Sequence, residues 1–474
     1  MATVSTAFNI AKGALDADQA ALNIIANNTA NVNTPGYTQQ RPVWVESDST
    51  SLSGASYGTG VQMTGPQSQR DRVLLQALRQ QTQDESASAA RLNALNQIQA
   101  LFAGATSADS AASSGIGRDL SGFFSSLSSL EGNPADVASR QNVLSAATSL
   151  AQDLNGAAAQ LETQRRALDG ETGSAIEQAN TLLKNLAQLN LQIQSTSPNQ
   201  DAGTLEDQRQ QDLTQLAQLI GIRTVTTENN GLTVTTMDGS LLVSQGQVHS
   251  IISGQSGGVT HYFDSQGADI TSDLSTGGGQ LGGLLAARDQ DIPQVEGALD
   301  VLAYSLATQM NQLNEQGSDL NGNRGGAIFS LPAGVSAANP AGSAAQIVVV
   351  MTDPIQIAAA ALGGGSLDNA NAIVMAKQQN AGIINGISPT AWFSDIVTSL
   401  GSLTSEVSTD NTAQQAGLTQ LNDQIGAISG VNLNDEAAAL EQLEQAYQAA
   451  SKLFTILDQV MTAALNLGVT TSYS

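Results

Sequence analysis

A mainly α, elongated multi-domain protein with a small antiparallel β insertion is predicted by three observations. Leu433, Leu440, Tyr447, Phe454 and Met461 recur every seven residues, with Leu443, Ala450, Leu457 and Ala464 three places after four of them. This spacing lays an apolar seam along one helix from Leu433 to Leu467. Val4, Phe8, Ala11, Leu15, Leu22 and Ile25 follow similar spacing at the other end, interrupted by Asp18, and predict a second amphipathic helix from about Thr3 to Asn28. From Gly221 to Phe263 the periodicity changes to alternation punctuated by Asn-Gly, Asp-Gly and Gly-Gly turns, the pattern of antiparallel strands. Helices at both ends enclosing a β insertion predict N- and C-terminal helices paired as a coiled-coil-like bundle, with nested, discontinuous domains.

The C-terminal helix has its own punctuation. Asn434 and Asp435 with Glu436 supply an N-cap and an acidic first turn, and Gly468 stands where a terminating glycine is expected. At 1.5 Å per residue it would be roughly 50 Å long, too long to hide in one ordinary core. The N-terminal helix is the expected partner. A pair of terminal helices capping a globular enzyme is the plainer alternative. A seam covered by one partner alone is marginal, so the termini are expected to order fully on assembly with other subunits.

Between the ends, Asn27 to Tyr37 is crowded with asparagine and carries Pro35-Gly36, which stops the first helix in a turn. Gln40 to Glu46 and Gly60 to Thr64 read as short extended pieces. Helices are expected at about Arg70 to Phe102, Leu120 to Leu130, Pro134 to Leu168, Ser174 to Ser195 and Leu205 to Ile220, with Pro134 in the first turn of its helix and Pro198 and Gly203 between the last two. The strands are expected at Ile222 to Thr226, Leu232 to Thr235, Leu241 to Val243, Val248 to Ile252 and Val259 to Phe263. Gly277 to Gly283 ends the insertion, and a helix running from Leu284 to Leu313 is expected to bend at Pro293. Residues 317–366, rich in Gly, Ala, Ser, Asn and Pro, read as irregular or partly mobile. A helix from Trp392 to Ile428 leads into the terminal one. The resulting division is 1–45 plus 430–474 as a terminal helical assembly domain, 46–221 plus 276–429 as a long-helix middle domain, and 222–275 as a small β-rich outer domain.

Composition narrows the function. The chain of 474 residues is 41% hydrophobic but only 3% aromatic, so its cores are built from Ala, Leu, Ile and Val. A formal net charge of -25 opposes phosphate backbones and anionic lipid surfaces, which argues against nucleic acid and membrane as partners. The lack of cysteine removes disulfides, thiolate nucleophiles and zinc-cysteine sites. The first residues show no basic segment followed by an apolar core, so any export is expected to proceed without a cleaved signal peptide. Gly54-Ala55-Ser56-Tyr57-Gly58 matches a Gly-x-Ser-x-Gly elbow, but no solid strand precedes it and the only histidines, His249 and His261, lie in the β insertion. A glycine-rich turn is the default reading. Gly277 to Gly282 matches Gly-x-Gly-x-x-Gly without a parallel βαβ unit, and reads as a flexible β-to-helix junction. Asp319 to Asn323 begins like a calcium loop, yet Arg324 occupies the required glycine and Ser330 the closing glutamate position, so it reads as a turn. No catalytic constellation emerges, and no catalytic, cofactor or metal-ligating residues are assigned.

Two signatures carry a resemblance. Ala14 to Asn23 (ALDADQAALN) followed by Asn27 to Tyr37, and Ser429 to Glu436 followed by Gln445 to Ala449, resemble the N- and C-terminal signatures of bacterial flagellar rod, hook and hook-associated proteins. Phe123 to Leu127, Asn133-Pro134 with Arg140-Gln141, Leu205 to Arg209, and Leu281 to Leu285 with Arg288-Asp289 are similar to the hook-associated protein 1 family within that group. The similarity covers most of residues 1–330 and 390–467. Thr29 stands where the family usually has Ile, Gln39 where Arg is common, and 325–366 where a larger outer domain is frequent. The resemblance implies a non-enzymatic structural subunit of the bacterial flagellum, exported by the flagellar type III apparatus and forming a ring at the hook tip. Its implied partners are copies of itself, the hook protein, the second hook-filament junction protein, and an export chaperone on the C-terminal helix. The assembly interface is then expected at Phe8, Leu15, Leu22, Ile25, Leu440, Leu443, Tyr447, Phe454 and Leu457. The alternatives are another flagellar axial protein, a secreted helical adhesin, or a flagellum-borne hydrolase using Ser56.

Overall fold

The computed structural model describes residues 2–52, 55–102, 115–197, 201–256 and 258–467; Gly54, Pro198 and Gly468, singled out above, lie outside them. Helix α1 (Ala2–Ala30) ends in the asparagine-rich turn. Strand β1 (Gln40–Glu46) follows, then a small hairpin of β2 (Thr50–Leu52) and β3 (Ala55–Tyr57), then β4 (Val61–Ser68), which returns antiparallel to β1. Asp71 opens α2 (Arg72–Phe102) by accepting the N–H groups of Val73 and Leu74 at 2.9 and 3.0 Å.

Helix α3 (Ile116–Gly132) leads to α4 (Val137–Thr196), one continuous helix of 60 residues. The expected break between Leu168 and Ser174 is absent, and Pro134 sits in the turn before the N-cap Asp136, not in the helix. Two glycines, Gly170 and Gly173, cost ~1 kcal/mol each relative to alanine, but packing outweighs them. The N-terminal half of α4 contributes Leu144, Leu150 and Leu154 to a core with Phe123, Phe124, Leu299 and Leu306. Its C-terminal half contributes Ile176, Leu183 and Leu186 to a second core with Leu213, Leu216, Val234 and Tyr262. The stretch between is tied sideways: Asp169 accepts Arg288 Nη1 at 2.6 Å, and Thr172 Oγ1 accepts the Tyr262 hydroxyl at 2.6 Å.

After α5 (Thr204–Leu219), strands β5 (Ile222–Thr226), β6 (Leu232–Thr236), β7 (Leu241–Ser244) and β8 (Gln247–Val248) form a four-stranded antiparallel sheet, and β9 (Ile252–Ser256) pairs with β10 (Val259–Phe263). The expected strand Val248 to Ile252 is therefore split. Ile251 is pulled out of the ladder by Asn180 of α4, which binds its C=O and N–H at 2.8 and 2.9 Å. Helices α6 (Thr271–Thr276) and α7 (Gly279–Ala286) follow, then a π turn at Ala287–Asp291 and α8 (Ile292–Gln316). The π turn absorbs the N–H missing at Pro293, where a bend was expected. The glycine run expected to be flexible is tightly packed. A Cβ on Gly283 would lie 2.1 Å from the Ala87 carbonyl oxygen, and Gly279, at φ +70°, would meet the Ile220 nitrogen at 2.6 Å.

Residues 317–366 carry only short elements and are packed into the first core. Short pairs join β11 (Gly317–Ser318) and later β14 (Ala360–Ala361), and β12 (Phe329–Ser330) and β13 (Val348–Val349), with α9 (Ser343–Gln346) between. Ile328, Phe329, Ile347, Met351 and Ile357 are buried. Polar side chains of α8 satisfy the backbone that a ladder would otherwise satisfy: Asn311 accepts the N–H groups of Ile328 and Phe329 at 2.8 Å, Asn314 that of Ala358 at 2.7 Å, and Asp300 those of Gly342 and Ala344. Fully buried Arg140 bonds the carbonyls of Pro134 and Ile357 from the other side. Helix α10 (Ala370–Lys377) and α11 (Pro389–Ser429), capped by Ser388, complete this region, with α11 packed along α2. The last helix, α12 (Leu433–Leu467), packs along α1.

Candidate assembly interface

Helices α1 and α12 run antiparallel. Phe8 near the start of α1 meets Phe454 with ring centroids 4.4 Å apart and planes at 41°, while Asn28 near its end donates to Glu436 Oε1 at 3.0 Å. The other side of α1 rests on the β1–β4 ladder, where Gly60 and Gly13 permit close approach to Ile10 and the Val61 carbonyl. Ala11, Ala17, Ala21, Ile24 and Ile25 are buried by these two neighbours. Among the described residues helix α12 packs mainly along α1, and the difference shows in exposure.

The nine residues expected at the interface separate accordingly. Ile25 is buried, and Phe8, Leu15, Leu22, Leu443, Phe454 and Leu457 are half-buried within the α1–α12 pair. Leu440 and Tyr447 are exposed, on the flank of that contact. Leu433, Leu453, Ile456, Val460, Met461 and Leu465 are exposed too, between 38% and 64%, and at about 100° per residue Leu453, Ile456 and Val460 fall on the other side of the contact from Leu440 and Tyr447. The seam read from the heptads is thus only partly covered: Phe454 is half-buried against α1, while Leu440 and Tyr447 of the same heptad column, and apolar side chains on either side of the contact, face solvent.

A polar clasp joins the pair to the rest of the molecule, and sequence reasoning did not single it out as a site. Asn28, 1% exposed, gives its amide to the Gln40 carbonyl at 2.8 Å as well as to Glu436, and its Oδ1 accepts from the Tyr37 hydroxyl at 2.8 Å and the Gln40 N–H at 3.0 Å. Gln39 donates Nε2 to Glu436 at 2.7 Å, and its N–H bonds the Ser429 carbonyl at 2.8 Å. Thr38 Oγ1 donates to Asp207 at 2.7 Å. Asp207, Glu206 and Asp201 all accept from Arg70, at 2.7, 2.7 and 3.1 Å. Burial, with Asp207 and Glu436 adding negative charge, pushes the Tyr37 phenol up to about 12. Burial would raise the Asp201 carboxyl, but the N–H groups of Ser68 and Gly203 and the Arg70 guanidinium hold it below its ordinary value. The signal in the sequence was that segments noted separately, Asn27 to Tyr37, Leu205 to Arg209 and Ser429 to Glu436, are the ones that meet here.

The motifs set aside above find local uses. Ser56 lies in β3 opposite Ser51, while His249 bonds Ser265 and His261 bonds Asp269. Asp319 Oδ1 accepts the N–H groups of Asn321 and Asn323 at 2.8 and 2.7 Å, closing a turn on itself. Among the described residues no group of three or more His, Cys, Asp or Glu is arranged to hold a metal ion, and no helix is long and apolar enough to cross a membrane.

Comparison with known proteins covers both the ends and the middle. Residues 95–329 match the family model described as flagellar hook-associated protein FlgK helical domain, residues 8–38 that of flagella basal body rod protein, and residues 426–467 that of flagellar basal body rod FlgEFG protein C-terminal. Flagellar hook-associated protein 1 of Salmonella typhimurium is 26% identical, covering 98% of this chain and 100% of the relative, and that of Escherichia coli is 25% identical with the same coverage. The Bacillus subtilis protein of that name is 26% identical over 96% of this chain and 97% of its own length. In fold, the chain is similar to the flagellar hook junction protein FlgK from Burkholderia pseudomallei, with a TM-score of 0.67 and 17% identity over 75% of this chain and 100% of that one. Matched at both terminal signatures and through the helical middle, and along nearly their full length by these relatives, the chain belongs to the flagellar hook-associated protein 1 family.

Proposed function

We propose that this protein is a structural subunit of the junction between flagellar hook and filament, built into a ring at the hook tip through its terminal helices. The observation that carries this reading is the row of exposed apolar side chains of α12, from Leu433 to Leu465, on either side of its contact with α1. Each such side chain is worth ~1.5–3 kcal/mol when taken fully out of water, so a neighbouring subunit that covers several of them gains enough to offset its loss of freedom. In this reading 1–45 with 430–474 is the assembly unit, 46–221 with 276–429 the outward-facing middle, and 222–275 an outer β unit. Hook protein lies below the ring and the second junction protein above it. The same side chains of α12 are what an export chaperone would shield during passage through the type III apparatus to the cell exterior. No step of this role calls for catalysis.

The test separates the exposed side chains of α12 from those paired with α1. Val460→Asp, at an exposed position, places a carboxylate where a neighbour is expected, leaving the Phe8–Phe454 contact in place. The variant should unfold like the parent in solution; its export is measured first, because a chaperone would shield the same side chains, and the exported copies should fail to join the hook tip, so that flagellin escapes into the medium. Normal export with full-length filaments would show that these side chains do not form an assembly surface.

A further inference from the structure

Next to the clasp lies a concentration of positive charge that the assembly role does not use. Arg70 engages Asp201, Glu206 and Asp207. Arg72 and Arg79 of α2 and Arg209 of α5 line one cleft of about 130 Å³ together with Gln210 and Thr224. Glu206 is the only acid among its lining residues; it is bonded to Arg70 at 2.7 Å, and its charge offsets only part of the effect of burial, which lowers the pKa of Arg209. Arg209, 8% exposed, donates Nη1 to Asn190 Oδ1 at 3.2 Å and to the Asn230 carbonyl at 2.7 Å. Arg79 donates Nη1 to Gln210 Oε1 at 2.9 Å and Nη2 to Thr224 Oγ1 at 3.1 Å. All four acceptors are neutral.

Such an arrangement is costly unless something completes it. A buried guanidinium bonded only to neutral acceptors keeps most of the penalty of leaving water; burial, unopposed by a carboxylate, lowers Arg79 to about 10. The chain has 42 carboxylates against 17 lysines and arginines, so counter-ions are abundant, yet Arg72 is exposed without an ion pair among the described residues. Guanidiniums present paired N–H donors that match two oxygens of one oxyanion.

We propose that this cleft binds an oxyanion, held between Arg72, Arg79 and Arg209, either as a free tetrahedral anion of the phosphate class or as a carboxylate presented by a peptide. The remainder of a surface with net charge -25 repels anions, so binding here should saturate at one site.

The experiment measures thermal unfolding of the full chain at pH 7 against sodium phosphate, with sodium chloride at matched ionic strength as the control, and repeats it with hexaglutamate. A saturable rise of the midpoint above the chloride control is expected. Arg79→Gln should abolish it, and Arg72→Gln, at an exposed position, should move half-saturation by about tenfold or more. A rise with phosphate alone identifies the free anion as the source, and a rise with hexaglutamate alone identifies a peptide carboxylate. No rise with either, or an undiminished rise in Arg72→Gln, overturns the proposal. Arg72→Gln decides the matter if Arg79→Gln does not fold.

Discussion

At the residue scale, Glu436 shows how one side chain joins distant parts of the chain. It sits in the first turn of α12, where a carboxylate also favours the helix N-terminus, and it receives amides from Asn28 and Gln39. Tyr37 closes the same network through Asn28, and its phenol reports the local charge. Its folded value, about 12, lies above the ordinary 10.0. The folded state therefore holds that proton more tightly, and this contribution is fully present below pH 10 and lost as pH rises toward 12. Tyr37→Phe should remove that part of the alkaline loss of stability, measured by denaturant midpoints at pH 9, 10 and 11. At neutral pH it should cost only ~0.5–1 kcal/mol, because Asn28 Oδ1 keeps the Gln40 N–H as a partner. An alkaline profile identical to that of the parent would contradict the placement of this phenol beside Asp207 and Glu436.

At the scale of elements, the sequence and the structure part company at the glycines of α4 and α7, and the reason is what surrounds them. Gly170 and Gly173 face open space inside a continuous helix, so a Cβ meets nothing and chain entropy alone is at stake. Gly170→Ala and Gly173→Ala should each stabilise by ~0.5–1 kcal/mol. Gly283, against the Ala87 carbonyl, should behave in the opposite way: Gly283→Ala forces α2 and α7 apart and should cost at least ~1–3 kcal/mol. Urea unfolding of the three variants checks both signs. Destabilisation by both α4 substitutions would mean that a real break exists where the sequence suggested one.

Across the whole molecule, stability is unevenly distributed. Helix α4 is buried in two cores, whereas α12 leans mainly on α1 and carries no fully buried apolar residue among those described. Amide exchange in the isolated protein should be fastest along α12, slower in α1, which has the β1–β4 ladder on its other side, and slowest in α4. Covering its exposed apolar side chains by assembly should slow α12 most. Equal protection of α12 and α4 in a demonstrated monomer would remove the case for an interface awaiting its neighbours.

What was legible in the sequence is what repeats along it. Heptads in the terminal helices, alternation in the strands and the Asn-Pro-Gly turn each depend on neighbours close in the chain, so Phe8, Leu443 and Phe454 could be picked out as a seam, and the hairpin turns bounded their strands. Which residues of that seam α1 covers and which face solvent could not be read, because Leu440 and Leu443 look alike until a partner helix chooses between them. Nor could the clasp or the arginine cleft. Asn28 and Glu436 are 408 residues apart, Arg79 and Thr224 are 145 apart, and no local pattern announces a polar contact between them. Those sites, the continuity of α4 and the packing of 317–366 were decided by tertiary structure, where burial outweighs glycine propensity and side chains replace missing backbone partners.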